Sequence, residues 1–369
     1  MKKNWIAACM TAVCALALVT GCSSETDEPD GIEYDAGEWL IEGTTVRLYR
    51  GTGTDVQVPD GVTEIGKRAF ASRTKVAHVT LPDSVAVIED YAFSGCTGLA
   101  DVNLPESVAM IGWYAFSGCE SLTEVTIPAK VTSIGEYAFW NCTNLADVQI
   151  PGSVEAIGDD AFRGCESLET VTIPASVKTI GSNAFSGCES LDTVTYQGDL
   201  AQWCALDGGD NLMSSAERVT IDGEDLQDMT ELVIPEGVTG IGSGAFRGCG
   251  NLTSVTIPAG VKTIGDSAFR ECSGLTEVTI PEGVTEIGQY AFSSCSKLTT
   301  VAIPVSVESI GYDAFYCSSL TDVTYGGTQA QWDEIEKSSQ IFYSSNNTIT
   351  GKDGVTFTVD RYGNIIESE

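Results

Sequence analysis

The amino-acid sequence predicts a β-rich solenoid of about ten 23-residue coils and two irregular coils. The first observation is that phenylalanine preceded by alanine recurs every 23 residues, from Phe70 to Phe185 and again from Phe246 to Phe315. The second is that all ten copies carry Pro-x-x-Val-x-x-Ile upstream of the Ala-Phe pair. The third is that one copy cannot bury its apolar face alone, whereas stacked copies share a continuous core.

Each copy reads as a short strand followed by turns. In the copy from Leu122 to Asn144, Val125, Thr126 and Ile127 alternate inward, outward and inward. Pro128 ends the strand because proline has no N–H to donate. The Ile-Gly corner and the Ala-Phe step then return the chain. Equivalent strands of successive copies are therefore expected to form a parallel sheet, about 4.7–4.9 Å apart.

A cysteine follows the Ala-Phe pair in nine of the ten copies, and the first copy has Arg73 there. The nine positions are Cys96, Cys119, Cys142, Cys165, Cys188, Cys249, Cys272, Cys295 and Cys317. A catalytic nucleophile is needed once, whereas a packing residue is needed in every layer. Free cysteine behaves as a small buried hydrophobe, so we predict a structural ladder of thiols. Cys204 lies outside the ladder and stays unassigned.

Metal binding and disulfides are the alternatives for these thiols. The chain has no Cys-x-x-Cys pair and only one histidine, His78, which disfavours a metal string. Disulfides between adjacent coils are conceivable, although nine identical positions leave one thiol over. The acidic run from Asp222 to Asp228 could hold calcium, but its spacing matches no calcium loop and favours a solvated charge run. We predict no metal and no cofactor.

The N-terminus predicts a signal peptide over residues 1–21. Lys2 and Lys3 precede an apolar run that is too short for a confident membrane span. The run ends in Val-Thr-Gly-Cys, which resembles a bacterial lipobox and implies cleavage before Cys22 and acylation of its thiol. The alternative is an ordinary signal peptide that happens to carry a cysteine. Residues 22–37 are polar and acidic, as in a flexible tether, and resemble the surface-export signal of some Gram-negative lipoproteins.

The charge balance excludes one class of partner. The chain holds 52 Asp and Glu against 19 Lys and Arg, a formal net charge of −33. Such a field repels phosphate backbones and anionic lipid, which argues against nucleic acid and leaves the lipid anchor as the contact with a membrane. The same field would steer the protein toward basic patches on a partner.

The repeat unit L-x-x-V-x-I-P-x-x-V-x-x-I-G-x-x-A-F-x-x-C-x-x-L resembles the BspA-type leucine-rich repeat. The resemblance extends from about Trp39 to the C-terminus. It implies a right-handed leucine-rich-repeat stack with a parallel β-sheet on one face. Members of this family are typically bacterial surface proteins, and some bind host matrix proteins, plasma proteins or other cells. The family brings no catalytic residues.

The period breaks between Phe185 and Phe246. There, "VTYQGDLAQWCAL" from Val194 is echoed by "VTYGGTQAQWDEI" from Val323, and both resemble an irregular coil in which a short helix replaces the Ile-Gly corner. The predicted divisions are a signal peptide (1–21), a flexible acidic tether (22–37), an N-terminal β cap (38–58), a first repeat block (59–196), an irregular coil with a short helix (197–230), a second repeat block (231–325), and an irregular coil with a C-terminal β cap (326–369).

Whether the second block continues the first or hinges against it stays open from the sequence. Two stretches read as strands that could carry the stack through, Val219–Ile221 and Leu232–Ile234, and they favour continuity. The stretches 38–51 and 354–363 alternate like hairpin strands and are expected to cover the two ends, since an exposed last coil is a sticky edge.

Two surfaces are candidates for binding. The outward column of the sheet includes Thr126, Thr172, Thr195, Thr256 and Thr279. Threonine also simply suits an exposed strand, and one interrupted rank does not support ice binding.

The second candidate is an aromatic patch. Its members are Tyr91, Trp113, Tyr114, Tyr137 and Trp140. Other coils place Asp, Asn, Gly or Ser at the tyrosine position, so the core does not require an aromatic residue there. Partly exposed Tyr and Trp are typical of recognition hot spots, and the alternative is that they shield the turns.

These observations favour a non-catalytic surface lipoprotein that binds a protein or glycan on a host or a neighbouring cell. It would lie in a bacterial envelope, at the outer membrane if the cell is Gram-negative. A structural envelope component without a soluble ligand is the second hypothesis. An envelope hydrolase is the third, but a histidine-dependent triad would have to use His78, which has no singled-out partner.

Overall fold

Each coil of the computed structural model contributes two short strands, one on the sheet face and one at the corner where Ile-Gly stands. The structure describes residues 37–344 and 346–366. The predictions for residues 1–36, including acylation of Cys22, lie outside this part of the chain. No helix in the described residues is long and apolar enough to cross a membrane.

The first block begins with an antiparallel hairpin of β1 (Trp39–Glu42) and β2 (Thr45–Tyr49), as expected for the N-terminal cap. From there, sheet-face strands (odd numbers) alternate with corner strands (even numbers): β3 Asp55–Gln57, β4 Glu64–Ile65, β5 His78–Thr80, β6 Val87–Ile88, β7 Asp101–Asn103, β8 Met110–Ile111, β9 Glu124–Thr126, β10 Ser133–Ile134, β11 Asp147–Gln149, β12 Ala156–Ile157, β13 Thr170–Ile173, β14 Thr179–Ile180 and β15 Thr193–Tyr196. The first sheet-face strand, β3, thus lies within the range that the sequence assigned to the cap.

The break contains α1 (Leu200–Ala205), α2 (Gly209–Met213), β16 (Arg218–Ile221) and β17 (Glu224–Asp225). The remaining elements are β18 Glu231–Val233, β19 Gly240–Ile241, β20 Ser254–Thr256, β21 Thr263–Ile264, β22 Glu277–Thr279, β23 Glu286–Ile287, β24 Thr300–Ile303, β25 Ser309–Ile310, β26 Asp322–Tyr325, α3 Gln329–Glu334, β27 Glu336–Lys337, β28 Asn347–Thr350 and β29 Thr356–Val359. β28 and β29 pair antiparallel and form the C-terminal hairpin, so one strand of this cap precedes the stretch that the sequence singled out.

Successive coils pair in parallel and in register, which confirms the predicted solenoid. At the corner, Ile134 pairs with Ile111 on one side and Ile157 on the other. On the sheet face, Val125 pairs with Val148. The alternation of β strands therefore places each residue directly against its counterpart 23 positions away, and one apolar core extends from Val46 to Val359.

The phenylalanines form a continuous column inside this core. Ring centroids of neighbouring coils are 4.8–5.3 Å apart in the first block and 5.2–5.6 Å apart in the second. Tyr49 of the N-terminal hairpin begins the column, 5.1 Å from Phe70. Phe342 of the last irregular coil ends it, 6.1 Å from Phe315. Stacked rings contribute about 0.5–1.5 kcal/mol per pair beyond their burial.

The nine ladder cysteines are buried, free thiols. In eight coils the thiol donates to the carbonyl of the phenylalanine one coil earlier, as Cys142 Sγ does to Phe116 O at 3.2 Å. Burial raises the pKa of Cys142 to about 12 and that of Cys96 to about 11. The unassigned Cys204 is also buried, and burial raises its pKa to about 12. These thiols therefore remain neutral at physiological pH.

The corner glycines are required by close approach of the coils. A Cβ on Gly158 would lie 2.7 Å from the backbone nitrogen of Glu136, and one on Gly135 would lie 2.8 Å from the carbonyl oxygen of Gly112. Both contacts are with backbone atoms of the preceding coil, which have no room to yield. The Ile-Gly pair is thus a packing requirement between coils.

The irregular coils differ from expectation in one respect. The helices do not replace the Ile-Gly corner, because corner pairing is retained after them: β27 pairs with β25, and Asp207 bridges to Thr179. The helices instead occupy the place of the Pro-x-x-Val turn. Each begins with a capping box, Asp199 with Gln202 and Thr328 with Gln331, which stabilises a short helix at its first turn.

Each of these helices buries a tryptophan that links two coils. The indole Nε1 of Trp203 donates to Ala245 O at 2.8 Å, and that of Trp332 donates to Gly363 O at 2.9 Å. Gly242 N also donates to Cys204 O at 2.8 Å. These bonds tie the first block to the second through one core, although β16 and β18 belong to separate sheets.

We expect Gly158→Ala to lower the free energy of unfolding by about 1–3 kcal/mol, because the new methyl group overpacks the backbone of the preceding coil. The matched control is Gly152→Ala in the same coil, where an added Cβ meets nothing within 4 Å. Urea unfolding followed by circular dichroism measures both variants. Equal stability of the two would contradict a close-packed corner.

We also expect stability to fall at alkaline pH. The folded pKa of Cys142, about 12, lies above its ordinary value of 9.0, so the unfolded chain releases its thiol protons first. The stabilising contribution is therefore complete below pH 9 and is lost as the pH rises from about 9 to about 12. Urea midpoints at several pH values measure this slope, and Cys142→Ala should make it shallower. Differential alkylation at pH 8 should leave the native ladder unmodified; a rapidly labelled ladder thiol would contradict the assignment.

Candidate functional site

The residue before each Ala-Phe pair adopts a left-handed backbone conformation in all ten regular coils. Its φ lies between +52° and +61° at Arg68, Tyr91, Tyr114, Tyr137, Asp160, Asn183, Gly244, Ser267, Tyr290 and Asp313. This conformation costs a residue other than glycine about 1–2 kcal/mol, and Asn and Asp tolerate it best. Three successive tyrosines thus stand at a position where the backbone does not favour them.

The structure brings these three tyrosines together as a stack. The ring centroids of Tyr91 and Tyr114 are 4.7 Å apart, those of Tyr114 and Tyr137 are 4.4 Å apart, and both pairs are within 4° of parallel. In-register coils place the rings one above another at the coil spacing. All three are half-buried. The stack therefore covers its inner ring faces and presents ring edges and hydroxyls to solvent.

Basic side chains cover the first end of the tyrosine stack. The guanidinium carbon of Arg68 lies 5.1 Å from the ring centroid of Tyr91, and Lys67 Nζ lies 6.0 Å from it. Cations over an aromatic face are attracted by the ring quadrupole. The outer face of Tyr91 is therefore occupied by groups of this chain.

An acidic residue stands at the other end. A hydrogen bond to the Asp160 carboxylate, together with its charge, raises the pKa of Tyr137. Asp160 is 5% exposed and pairs with Arg163 Nη1 at 3.0 Å. Burial raises the pKa of Tyr114. These tyrosine hydroxyls are neutral at physiological pH and can both donate and accept hydrogen bonds.

The two tryptophans lie beside the stack and do not join it. Trp113 is 44% exposed, and its carbonyl accepts from Tyr91 N at 2.8 Å. Trp140 is half-buried on the following turn, where its carbonyl accepts from Gly118 N at 2.7 Å. Among the described residues no ring contact joins either indole to a stacked tyrosine. The sequence-based patch is thus a stack of three rings with an exposed indole next to it.

The threonine column lies on the outward face of the sheet strands, and its five named members are exposed. Thr172 pairs with Thr195 across neighbouring strands. Val233, 64% exposed, stands at this position in β18 and interrupts the column of hydroxyls. A second outward column contains Asp101, Glu124 and Asp147, so that the sheet face is polar and in part acidic.

The remaining polar candidates do not converge. His78 is exposed in β5, paired in register with Asp55 and Asp101. The acidic run that begins at Asp222 forms the turn and second strand of the β16–β17 hairpin, where Asp225 lies 3.9 Å from Arg218. Within residues 37–344 and 346–366, no group of three or more His, Cys, Asp or Glu side chains is placed to hold a metal ion.

Sequence reasoning missed a second aromatic cluster at the end of the second block. It consists of Tyr290, Tyr312, Tyr316 and Tyr343 near the buried Asp313. Tyr290 occupies the same repeat position as the tyrosines of the first block, which was the available signal. Tyr343 lies in the irregular coil outside the repeat, so that periodicity could not bring it to this cluster.

Comparison with known proteins supports the repeat assignment. The family model described as BspA type Leucine rich repeat region (6 copies) matches residues 63–192 and 224–349. No curated protein matches the chain.

Three solved structures are similar to the chain. A leucine rich cell surface protein from Faecalibacterium prausnitzii is 26% identical over 85% of this chain and 100% of its own, with a TM-score of 0.47. A leucine-rich repeat protein from Bacteroides ovatus is 27% identical over 77% of this chain and 85% of its own, with a TM-score of 0.45. The pneumococcal vaccine antigen PcpA is 20% identical over 82% of this chain and 89% of its own, with a TM-score of 0.51, and shares the fold.

The family model covers more than half of the residues, and its matched ranges coincide with the two blocks of stacked coils. The resemblance found in the repeat unit is thereby confirmed. The chain belongs to the BspA-type leucine-rich repeat family.

Proposed function

We propose that this protein is a non-catalytic, lipid-anchored surface protein whose solenoid binds a macromolecular partner through the tyrosine stack. The partner would be a protein or a glycan on a host or a neighbouring cell. Anchoring would depend on Cys22, behind which an acidic tether separates the first coil from the membrane.

The observation that carries this proposal is the backbone conformation under Tyr91, Tyr114 and Tyr137. Left-handed φ values of +56° to +59° favour Gly, Asn or Asp, and other coils of this chain have such residues at the same position. The fold therefore gains nothing from tyrosine through the backbone. Three aromatic side chains retained at an unfavourable conformation on the surface are best accounted for by recognition.

The geometry of the stack favours a protein surface over the flat face of a sugar ring. The inner faces of the tyrosines cover one another at 4.4–4.7 Å, and Arg68 covers the outer face of Tyr91. What remains accessible is a row of ring edges and neutral hydroxyls, next to the exposed indole of Trp113. Such amphipathic edges make apolar contacts and hydrogen bonds at the same time.

The net charge of −33 adds a preference for partners with basic surface groups. The outward column of Asp101, Glu124 and Asp147 lies on the sheet face of the coils that also carry the stack. Long-range attraction of this kind accelerates association and weakens as salt is added. The polar sheet face, with Thr126 and Thr172, is the other surface that a partner could contact.

We expect Tyr114→Asn to reduce partner binding by about tenfold or more while leaving the fold intact, because asparagine suits the left-handed backbone and only ring contacts are lost. The comparison variant is Thr126→Asn, which changes the sheet face of the following coil. Pull-down against matrix proteins and envelope extracts, with circular dichroism as the folding control, measures the effect. Binding lost only in Thr126→Asn would place the interface on the sheet, and absence of any partner would favour a structural role.

Lipid anchoring has its own test. We expect Cys22→Ala to abolish incorporation of labelled palmitate and to move the protein from the membrane fraction to the soluble fraction, because the acylated thiol is the proposed anchor. Cys204→Ala is the control, since that thiol is buried in the solenoid. Membrane association that persists in Cys22→Ala would contradict the anchor.

A further inference from the structure

Asp313 is a buried carboxylate with an unused oxygen. It is 9% exposed, and its Oδ1 has no hydrogen-bond partner. Buried polar atoms are nearly always paired, so that an unpaired one indicates a missing ion, water or ligand group. Asp313 is also the last residue of the left-handed column that contains the tyrosine stack.

The first block contains the same position in a satisfied state. Asp160 stands one coil after Tyr137, as Asp313 stands one coil after Tyr290. The Oδ1 of Asp160 accepts from Arg163 Nη1 at 3.0 Å, from a residue three positions along the chain. The residue three positions after Asp313 is Tyr316, so the second block has the carboxylate without its guanidinium.

Tyrosine rings surround the place where that guanidinium would lie. The rings of Tyr290 and Tyr312 meet edge to face at 5.3 Å, and those of Tyr316 and Tyr343 do so at 5.0 Å. The charge of the nearby Asp313 carboxylate raises the pKa of Tyr312, and burial raises the pKa of Asp313. The carboxylate and the aromatic rings therefore form one cluster of mutually perturbed groups.

The composition of the cluster decides which cation it suits. A divalent metal ion requires several oxygen ligands, whereas one carboxylate among aromatic rings suits an organic cation. Guanidinium groups already lie on tyrosines of this column, Arg68 at 5.1 Å from the Tyr91 centroid and Arg270 at 5.2 Å from the Tyr290 centroid. A planar guanidinium can pair with a carboxylate and stack on a ring at once.

We propose that Asp313, Tyr316 and Tyr343 form a binding site for an arginine side chain of the partner protein. This inference rests on the proposed function and adds a second contact point, at the far end of the same column. Tyr343 is 52% exposed, and its ring moves aside to admit the guanidinium. The bound arginine then occupies the place that Arg163 takes beside Asp160.

The probe is the peptide acetyl-Gly-Arg-Gly-amide, titrated into the protein with labelled tyrosine rings and followed by NMR. We expect saturable shifts of the Tyr316 and Tyr343 signals. The neutral citrulline analogue and the variant Asp313→Asn should each weaken binding by about tenfold or more, because both remove the charge pair. Asparagine occupies this repeat position at Asn183 with the same backbone conformation, so Asp313→Asn is expected to fold.

Tyr316→Arg is the second variant, because it supplies within the chain the guanidinium that Arg163 supplies to Asp160. It should abolish peptide binding and raise the unfolding temperature. Lack of saturable shifts, equal binding of the citrulline peptide, tighter binding of the lysine peptide, or unchanged binding in both variants would each overturn the arginine site. None of these outcomes affects the result for Tyr114→Asn, so the two proposals fail separately.

Discussion

In-register stacking is the constraint on which the rest of this structure depends. Each residue lies against its own counterpart one coil away, both in the sheet-face strands and at the corner. Backbone hydrogen bonds also link the Ala-Phe turns, as Phe116 N donates to Ala138 O at 2.8 Å. The chain is thus joined along several sides, and a residue that suits one layer must tolerate itself in the next. That requirement explains the phenylalanine column, the thiol column and the glycine corner.

The same constraint organises the surface. A side chain on the outside of one coil faces its equivalent on the next, so that small differences between coils produce columns of one chemical kind. Tyrosines at three successive copies become a stack, whereas acidic residues at three successive copies become a row of negative charge. A buried acid in such a column needs a cation from elsewhere, which Arg163 supplies to Asp160. Binding surfaces in this fold therefore arise where a column departs from the repeat.

The irregular coils show which parts of a coil are dispensable. Helices α1 and α3 replace the proline turn, while corner pairing and core filling continue beside them. The buried Trp203 and Trp332 fill the enlarged interior, and their indole nitrogens bond to backbone carbonyls of other coils. The sheet face is interrupted at this point, because β16 turns back in a hairpin and does not pair with β18. The core tolerates this change because corner and interior contacts carry the stack across.

The sequence by itself determined the repeat, the parallel stacking, the burial of the cysteine column and the meeting of Tyr91, Tyr114 and Tyr137, because all of these follow from identical spacing in adjacent coils. Only the tertiary structure decided the left-handed backbone under those tyrosines, since Tyr, Arg and Ser at that position carry no local signal for it. The same holds for the position of the helices, and for Asp313, whose unpaired oxygen depends on Tyr316 and on Tyr343 from a coil outside the period. Periodicity specifies which residues are equivalent, but contacts between unlike residues depend on how the coils close in space.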